Sequence, residues 1–167
     1  MASFSEFETH DWVEQAADGL ITPDRLRQRA LAWLARREYS RLEMQRRLAK
    51  LGGSPAHITT LLDDFCQRGW LSDQRFAESR THARQARSGT RRIAQELRQL
   101  GVADDIISQT LAPLQEDELA RARTLWQKKF GQLPQDANDR VRQYRYLLAR
   151  GFAADLVRQI LRFADEE

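Results

Sequence analysis

The sequence predicts an all-α fold in which three tandem three-helix units form an elongated, curved helical array. Apolar residues recur three and four positions apart along most of the chain, and no stretch shows the period-two alternation of a strand. Three glycines are almost evenly spaced, at positions 52, 101 and 151, and each follows a leucine four positions upstream: Leu48, Leu97 and Leu147. A repeat of about fifty residues is typical of one supersecondary unit used several times in a row.

The repeats divide the chain into four segments. We expect an acidic, partly apolar N-terminal extension over residues 1–23, then three-helix units over residues 24–70, 71–114 and 115–167. Each unit is too small to bury a core well by itself, so neighbouring units are expected to lean on each other.

The first unit contains three amphipathic stripes of the kind that marks the inner face of a helix. They predict helices over residues 24–37, 41–51 and 56–68. Cys66 follows the third stripe, and we expect it to be a packed core or near-core thiol rather than a nucleophile. The stripes consist of Leu26, Ala30, Trp33 and Leu34; of Met44, Leu48 and Leu51; and of Ile58, Leu61, Leu62 and Phe65.

The second unit opens with Ser72, a favourable N-cap, and its first helix is predicted to reach about Arg87, where a Ser-Gly pair interrupts it. Its second helix should end at Gly101, a glycine of the kind that closes helices. Its third helix should stop at Pro113. The second and third stripes consist of Ile93, Leu97 and Leu100, and of Ile106, Ile107, Thr110 and Leu111.

The third unit repeats this plan with three further stripes. They consist of Leu119, Ala122, Trp126 and Phe130; of Val141, Tyr144 and Leu148; and of Leu156, Ile160 and Phe163. We expect packing within the chain to use the apolar stripes, and therefore expect a monomer.

Composition argues against several classes of protein. No apolar run approaches the roughly 18 residues of a membrane span, and no charged-then-apolar segment opens the chain. A single cysteine forms no internal disulfide, which fits a cytoplasmic, reducing environment. We find no Gly-rich phosphate loop, metal-ligand cluster or Ser/His/Asp arrangement, and therefore expect no catalytic activity, cofactor or metal.

Charge is strongly segregated, although the net charge is only +3. Residues 1–24 contain six acidic residues and no lysine or arginine, whereas residues 25–50 contain nine basic residues and two acidic ones. Of the 27 basic residues, 24 are arginine, whose planar guanidinium grips phosphate or carboxylate with two hydrogen bonds.

The placement of the arginines indicates an anionic partner. Arg80, Arg84, Arg87 and Arg91 are three or four positions apart, so a helix would place them on one face, and few acids interrupt that face. Such a stripe favours binding to a phosphate backbone or an acidic protein surface over a purely solubilising role. The candidate binding residues are Arg80, Arg84, Arg87, Arg91, Arg92, Arg98, Arg140, Arg142, Arg145 and Arg150.

Several motifs together resemble the RecX family of bacterial recombination regulators, over about residues 25–164. The matching motifs are Tyr39-Ser40 with Glu43; Gly69, Trp70, Leu71, Asp73, Phe76 and Ala77; Gly89, Arg91, Glu96, Leu97 and Gly101; and the C-terminal run QYRYLLARGF. The chain departs from the family at Ser72, where many members have an acid, and in the acidic segment before residue 24.

The resemblance implies a cytoplasmic, all-helical protein of tandem three-helix units that has no catalytic residues or cofactors. It also implies that the chain lies along the groove of the RecA–DNA filament. There it would inhibit the RecA ATPase, strand exchange and LexA cleavage, and so modulate recombinational DNA repair and the SOS response. The expected nucleic-acid partners of its arginine-rich faces are single-stranded DNA and double-stranded DNA.

Two other interpretations of the residues stay open. A helix-turn-helix-type DNA-binding regulator needs a recognition helix, and Arg91, Arg92, Gln95, Arg98 and Gln99 supply suitable side chains. A helical interaction scaffold that ignores nucleic acid is the other.

The acidic N-terminal segment carries a separate hypothesis. It includes Phe4, Phe7, Trp12, Val13, Leu20 and Ile21, which makes it too apolar for a plain disordered tail. We expect it to pack on the basic first unit and to compete there with nucleic acid, so that its deletion raises the affinity for single-stranded DNA.

Overall fold

The computed structural model describes residues 21–162, and within this range the chain forms nine helices and no strand. The predicted all-α fold is therefore confirmed. The helices are α1 (Pro23–Leu34), α2 (Arg41–Lys50), α3 (Pro55–Gln67), α4 (Asp73–Arg84), α5 (Thr90–Gln99), α6 (Asp104–Glu116), α7 (Glu118–Lys129), α8 (Ala137–Ala149) and α9 (Ala154–Arg162).

The chain divides into two compact bodies between Ser72 and Asp73. In the first body, α1–α3 enclose one apolar core around Met44, Leu48 and Phe65. The second body contains two three-helix sets, each with its own apolar core. The core of α4–α6 includes Phe76, Ile93, Leu97, Ile107 and Leu111, and that of α7–α9 includes Trp126, Leu147, Phe152, Val157 and Ile160.

The three equally spaced glycines end the middle helix of each set in the same way. Gly52, Gly101 and Gly151 have φ values of 87°, 81° and 86°, a left-handed conformation that costs glycine little. In each case the residue after the glycine donates its backbone N–H to the carbonyl of the leucine four positions upstream, at 3.1–3.3 Å. The glycine N–H bonds the next carbonyl at 2.9–3.0 Å. This pair of bonds is a Schellman motif.

A capping box fixes the start of α2. The Ser40 hydroxyl accepts from the Glu43 N–H at 3.1 Å, and the Glu43 carboxylate accepts from the Ser40 N–H at 3.4 Å. Ser40 is fully buried behind Tyr39. The Tyr-Ser pair of the family motif therefore positions the helix that carries Met44 and Leu48 into the core.

Three predicted helix ends are wrong. The first helix, α1, ends at Leu34 rather than at residue 37. The chain leaves α4 at Arg84 rather than near Arg87, and residues 85–87 form a turn. Pro113 lies inside α6, which continues to Glu116. Pro113 lacks the N–H that would bond the Gln109 carbonyl, so α6 loses one backbone hydrogen bond there, while Leu111 and Leu114 hold the last turn against the core.

The predicted face of α8 is wrong in part, and the predicted burial of Cys66 is wrong. In α8 Tyr144 and Leu148 pack against the core as predicted, but the fully buried residues are Gln143 and Leu147, and Val141 is 45% exposed. The face is rotated because the Trp126 indole donates a 2.6 Å hydrogen bond to the buried Gln143 amide oxygen. Cys66 is exposed rather than packed. It follows the buried Phe65, and one residue turns a helix by about 100°.

Residues 1–20 and 163–167 lie outside the described part of the chain. The hypothesis that the acidic N-terminal segment packs on the first unit falls there, as does the predicted inner position of Phe163. None of the helices in residues 21–162 is long and apolar enough to cross a lipid bilayer.

Candidate functional site

The predicted arginine stripe is interrupted by an acid that the local sequence does not reveal. Arg80 Nη2 and Arg84 Nε of α4 lie 3.5 and 3.1 Å from Glu96 Oε2 of α5. Arg92 Nε, one turn before Glu96 on α5, lies 3.6 Å from Oε1. Helix packing brings Glu96 across to α4, so this acid interrupts the face on which few acids were expected. Three guanidinium groups still share one carboxylate, so the cluster keeps a positive charge.

The stripe also divides between elements. Arg80 and Arg84 lie on α4, Arg87 lies in the turn after it, and Arg91 lies on α5. Arg87 and Arg91 are both exposed. Among residues 21–162, neither side chain has an acidic partner, so both guanidinium groups are open to a ligand.

The arginines of α8 lie in different surroundings. Arg142 pairs with Asp139 and lies over the Phe130 ring, 5.7 Å from its centroid. Arg150, at the end of the helix, lies 5.1 Å from the Tyr146 ring centroid. Arg145 is exposed and has no acidic partner within the described range.

The two remaining candidates are surface arginines of different kinds. Arg98 Nε donates a 2.7 Å hydrogen bond to the Asp104 carboxylate, which ties the end of α5 to the start of α6. Arg140 is exposed on the first turn of α8 and has an interaction partner. Open guanidinium groups among the ten candidates are therefore those of Arg87, Arg91 and Arg145.

Two glycines allow the second and third helix sets to approach closely. The Gly89 N–H donates a 2.8 Å hydrogen bond to the Arg150 carbonyl. A Cβ at Gly89 would collide with the Gly151 carbonyl, and a Cβ at Gly151 would lie 2.6 Å from the Arg92 backbone nitrogen. The glycine of the third repeat thus serves as a packing contact as well as a helix end.

A buried polar network, which no sequence pattern indicated, also links the second and third helix sets. We call this contact between the two sets the joint. Glu118, 6% exposed, accepts hydrogen bonds from the N–H and hydroxyl of Thr90. Arg121 donates to the carbonyls of Gln85, Ser88 and Leu114 at 2.8, 3.2 and 3.1 Å. Burial lowers the pKa of Arg121, and the charges of Glu118 and Asp117 partly offset this effect.

A polar cleft of about 510 Å³ opens beside this joint. One wall is α5, which contributes Arg91, Arg92, Gln95, Glu96 and Gln99, and the other is the end of α8 with Gly151 and Phe152. Arg92 is fixed there because its Nη1 donates a 2.8 Å hydrogen bond to the Ala149 carbonyl. The sequence predicted Arg91 and Arg92 as binding residues, but it did not predict the cleft wall that α8 forms.

The first body carries an arginine–aromatic surface outside the ten candidates. The Arg47 guanidinium lies 5.0 and 5.2 Å from the ring centroids of Trp33 and Tyr39. On another part of this body, Arg27 and Arg68 lie 5.6 and 5.2 Å from the Trp70 ring centroid, and Trp70 is 42% exposed.

The Asp64 carboxylate holds the arginines beside Trp70. It accepts hydrogen bonds of 2.6 Å from Arg68 Nε and 2.9 Å from Arg27 Nη1. These two bonds, that of Arg68 foremost, lower the pKa of Asp64 below its ordinary value.

In the described part of the chain, no group of three or more His, Cys, Asp or Glu side chains could hold a metal ion. What the arrangement offers chemically is guanidinium groups, amides and exposed aromatic rings for binding.

Comparisons with known proteins agree with this architecture. Family models of the second and third three-helix domains of RecX match residues 72–111 and 116–161. The crystal structure of RecX from Lactobacillus salivarius has the same fold, with a TM-score of 0.75 over 87% of this chain and 97% of that one, at 21% identity.

Two relatives are similar over most of their length. The regulatory protein RecX of Leptothrix cholodnii is 49% identical over 142 residues, which are 85% of this chain and 90% of the relative. The regulatory protein RecX of Chromobacterium violaceum is 46% identical over 136 residues, 81% of this chain and 88% of the relative. With identity this high over nearly the whole of both chains, the protein belongs to the RecX family.

Proposed function

We propose that this protein binds the RecA–DNA filament and inhibits the RecA ATPase, strand exchange and LexA cleavage, thereby restraining recombinational repair and the SOS response. The observation that carries the proposal is the 49% identity to a regulatory protein RecX over 90% of that protein's length. A protein with this role acts in the cytoplasm, and we propose that it does so by binding alone, without a cofactor.

The second body carries three exposed arginines suited to this role. Arg87, Arg91 and Arg145 are exposed and lack acidic partners among the described residues. Guanidinium groups of this kind form paired hydrogen bonds with phosphates and carboxylates alike. Both the DNA and the acidic side chains of a protein filament are therefore possible points of contact.

The helix-turn-helix alternative is disfavoured by the start of α5. A recognition helix uses its N-terminal residues to reach base edges in the major groove. Here Thr90, the first residue of α5, is buried against Glu118, and the preceding Gly89 is bonded to the Arg150 carbonyl. The first residue of α5 and the glycine before it, at the end that would enter the groove, are thus covered by α7 and the turn after α8.

The experiment that tests the proposal is ATP hydrolysis by RecA on single-stranded DNA, with and without this protein. We expect the rate to fall as the protein is added and to recover when salt is raised, because salt screens exposed charges. Tight binding to one palindromic duplex, without an effect on RecA, would instead support a sequence-specific regulator. Absent or salt-insensitive DNA binding would support a nucleic-acid-independent scaffold.

A further inference from the structure

The cleft between α5 and the end of α8 has features of a peptide-binding groove. Arg91, Gln95 and Gln99 lie on one line along α5 and are all exposed at the cleft wall. Residues four apart on a helix are about 6 Å apart along its axis. An extended peptide presents side chains on one face about every 6.6 Å. The line of Arg91, Gln95 and Gln99, which we call the ladder, therefore matches an extended segment in spacing.

The hydrogen-bonding groups of the ladder are available. Within residues 21–162, neither the Gln95 nor the Gln99 amide is occupied by a hydrogen bond to another side chain or to the backbone. A primary amide both donates and accepts, as a peptide backbone does. A phosphodiester backbone offers acceptors only, so it would use the donor groups of the two amides and leave their oxygens without a partner.

The charge of the cleft indicates an acidic segment. The first turn of α5 carries Arg91 and Arg92 and no acid, although cations are disfavoured at a helix N-terminus. Arg92 is committed to the Ala149 carbonyl and Glu96, whereas Arg91 is open. Local arrangements that oppose stability in this way are expected at binding sites.

We infer that this cleft binds an extended acidic segment of a protein partner, with a carboxylate of that segment on Arg91 and its backbone amides on Gln95 and Gln99. This binding site rests on the proposed function, because the acidic segment is taken to come from the protein part of the filament rather than from DNA. Arg92, held in place by Ala149, positions the wall of the cleft.

The test uses the full chain and two labelled peptides, one of alternating Glu and Ser and one of alternating Gln and Ser, followed by fluorescence anisotropy. A labelled oligothymidylate is measured in parallel. We expect the Glu–Ser peptide to bind more tightly than the Gln–Ser peptide. Arg91→Glu should lower the affinity for the Glu–Ser peptide about tenfold or more, as expected for the loss of a charge-assisted hydrogen bond.

Arg158→Glu is the matched control, because Arg158 is an exposed arginine of α9 that does not line the cleft. The inference predicts a smaller loss of peptide affinity for this control than for Arg91→Glu, and an equal loss of oligothymidylate affinity for the two variants. Equal losses of peptide affinity in the two variants would overturn the inference. A selective loss of oligothymidylate affinity in Arg91→Glu would also overturn it, because the cleft would then be a phosphate site. Gln95→Ala/Gln99→Ala should also lower the affinity for the peptide. Unchanged affinity would contradict the binding of the peptide backbone by these two amides.

These outcomes are separate from those of the RecA assay, because neither peptide nor oligothymidylate involves RecA. A protein that inhibits RecA but fails the peptide test retains its proposed function and loses this site. Arg91 is exposed, and an acid in the first turn of a helix is favourable, so the variant is expected to fold.

Discussion

The Glu118 carboxylate, at the start of α7, accepts hydrogen bonds from both the backbone N–H and the hydroxyl of Thr90, the first residue of α5, at 2.7 and 2.9 Å. A side chain from the third helix set thus caps a helix of the second set. Together with Arg121, it ties the two sets of the second body by groups that are buried or partly buried.

Removal of this cap should destabilise the second body. Glu118→Ala leaves the buried N–H and hydroxyl of Thr90 without an acceptor, so we expect unfolding to become easier by about 1–3 kcal/mol. Urea denaturation followed by circular dichroism measures this loss. Glu116→Ala, which removes an exposed carboxylate two residues earlier, is the control and should change stability by less than about 0.5 kcal/mol. Equal stability of the two variants would show that the cap contributes nothing.

The repeated leucine should be a principal core contact in each set. Leu97 is fully buried, so Leu97→Ala should cost about 2–5 kcal/mol through lost burial and the cavity left behind. Leu100, which is only half-buried at the edge of the same cluster, gives a matched comparison, and Leu100→Ala should cost less. A denaturant midpoint for Leu97→Ala at or above that of Leu100→Ala would contradict the assigned face of α5.

Gly69 and Gly151 have the same backbone conformation but different surroundings. Alanine substitutions there distinguish the cost of a left-handed backbone from the cost of a steric collision. Gly69 and Gly151 have φ values of 69° and 86°, but a Cβ would meet nothing within 4 Å at Gly69 and would collide with Arg92 at Gly151. Gly69→Ala should therefore cost about 1–2 kcal/mol from the left-handed conformation alone. Gly151→Ala should cost more, since the joint must also shift. Thermal unfolding of both variants checks this order, and the reverse order would show that the sets do not approach closely there.

The Asp64 pair predicts a pH dependence of stability in the first body. The pKa of Asp64 is lowered below its unfolded value of 3.8, chiefly by the Arg68 and Arg27 hydrogen bonds. Its stabilising contribution is therefore complete above that value and is lost as the pH falls through the folded-state pKa. We expect Asp64→Asn to be less stable than wild type near neutral pH, with the difference shrinking below about pH 4. A difference that is constant with pH, measured by urea denaturation, would show that the charge of Asp64 does not stabilise the fold.

The fold was predictable from the sequence wherever a local pattern determines it. The glycines at the helix ends and the leucines four positions before them set the repeat, because a Schellman motif links those two positions directly. Leu48, Leu97 and Leu147 are accordingly all fully buried. Patterns fail where a polar residue is buried, as with Gln143, which accepts from Trp126 and so turns α8 away from its predicted face.

The candidate site was less predictable because its contacts are made between helices. Arg80 and Arg84 are 16 and 12 positions from Glu96, and only the packing of α4 against α5 joins them. Arg121 bonds three backbone carbonyls that no side-chain pattern marks. The arginines that remain open, such as Arg87 and Arg145, are distinguished by the absence of such partners in the described range.

Regulation of RecA by this protein is tested by RecA ATP hydrolysis on single-stranded DNA, titrated with wild type, with Arg87→Glu/Arg145→Glu and with Arg158→Glu. The double variant leaves the Arg84–Glu96 pair intact, so its thermal unfolding should stay near that of wild type. We expect wild type to suppress hydrolysis and the double variant to require a several-fold higher concentration than the Arg158→Glu control, most visibly at low salt. Unchanged hydrolysis with saturating wild type would contradict regulation of RecA, and full inhibition by the folded double variant would contradict the role of the open arginines.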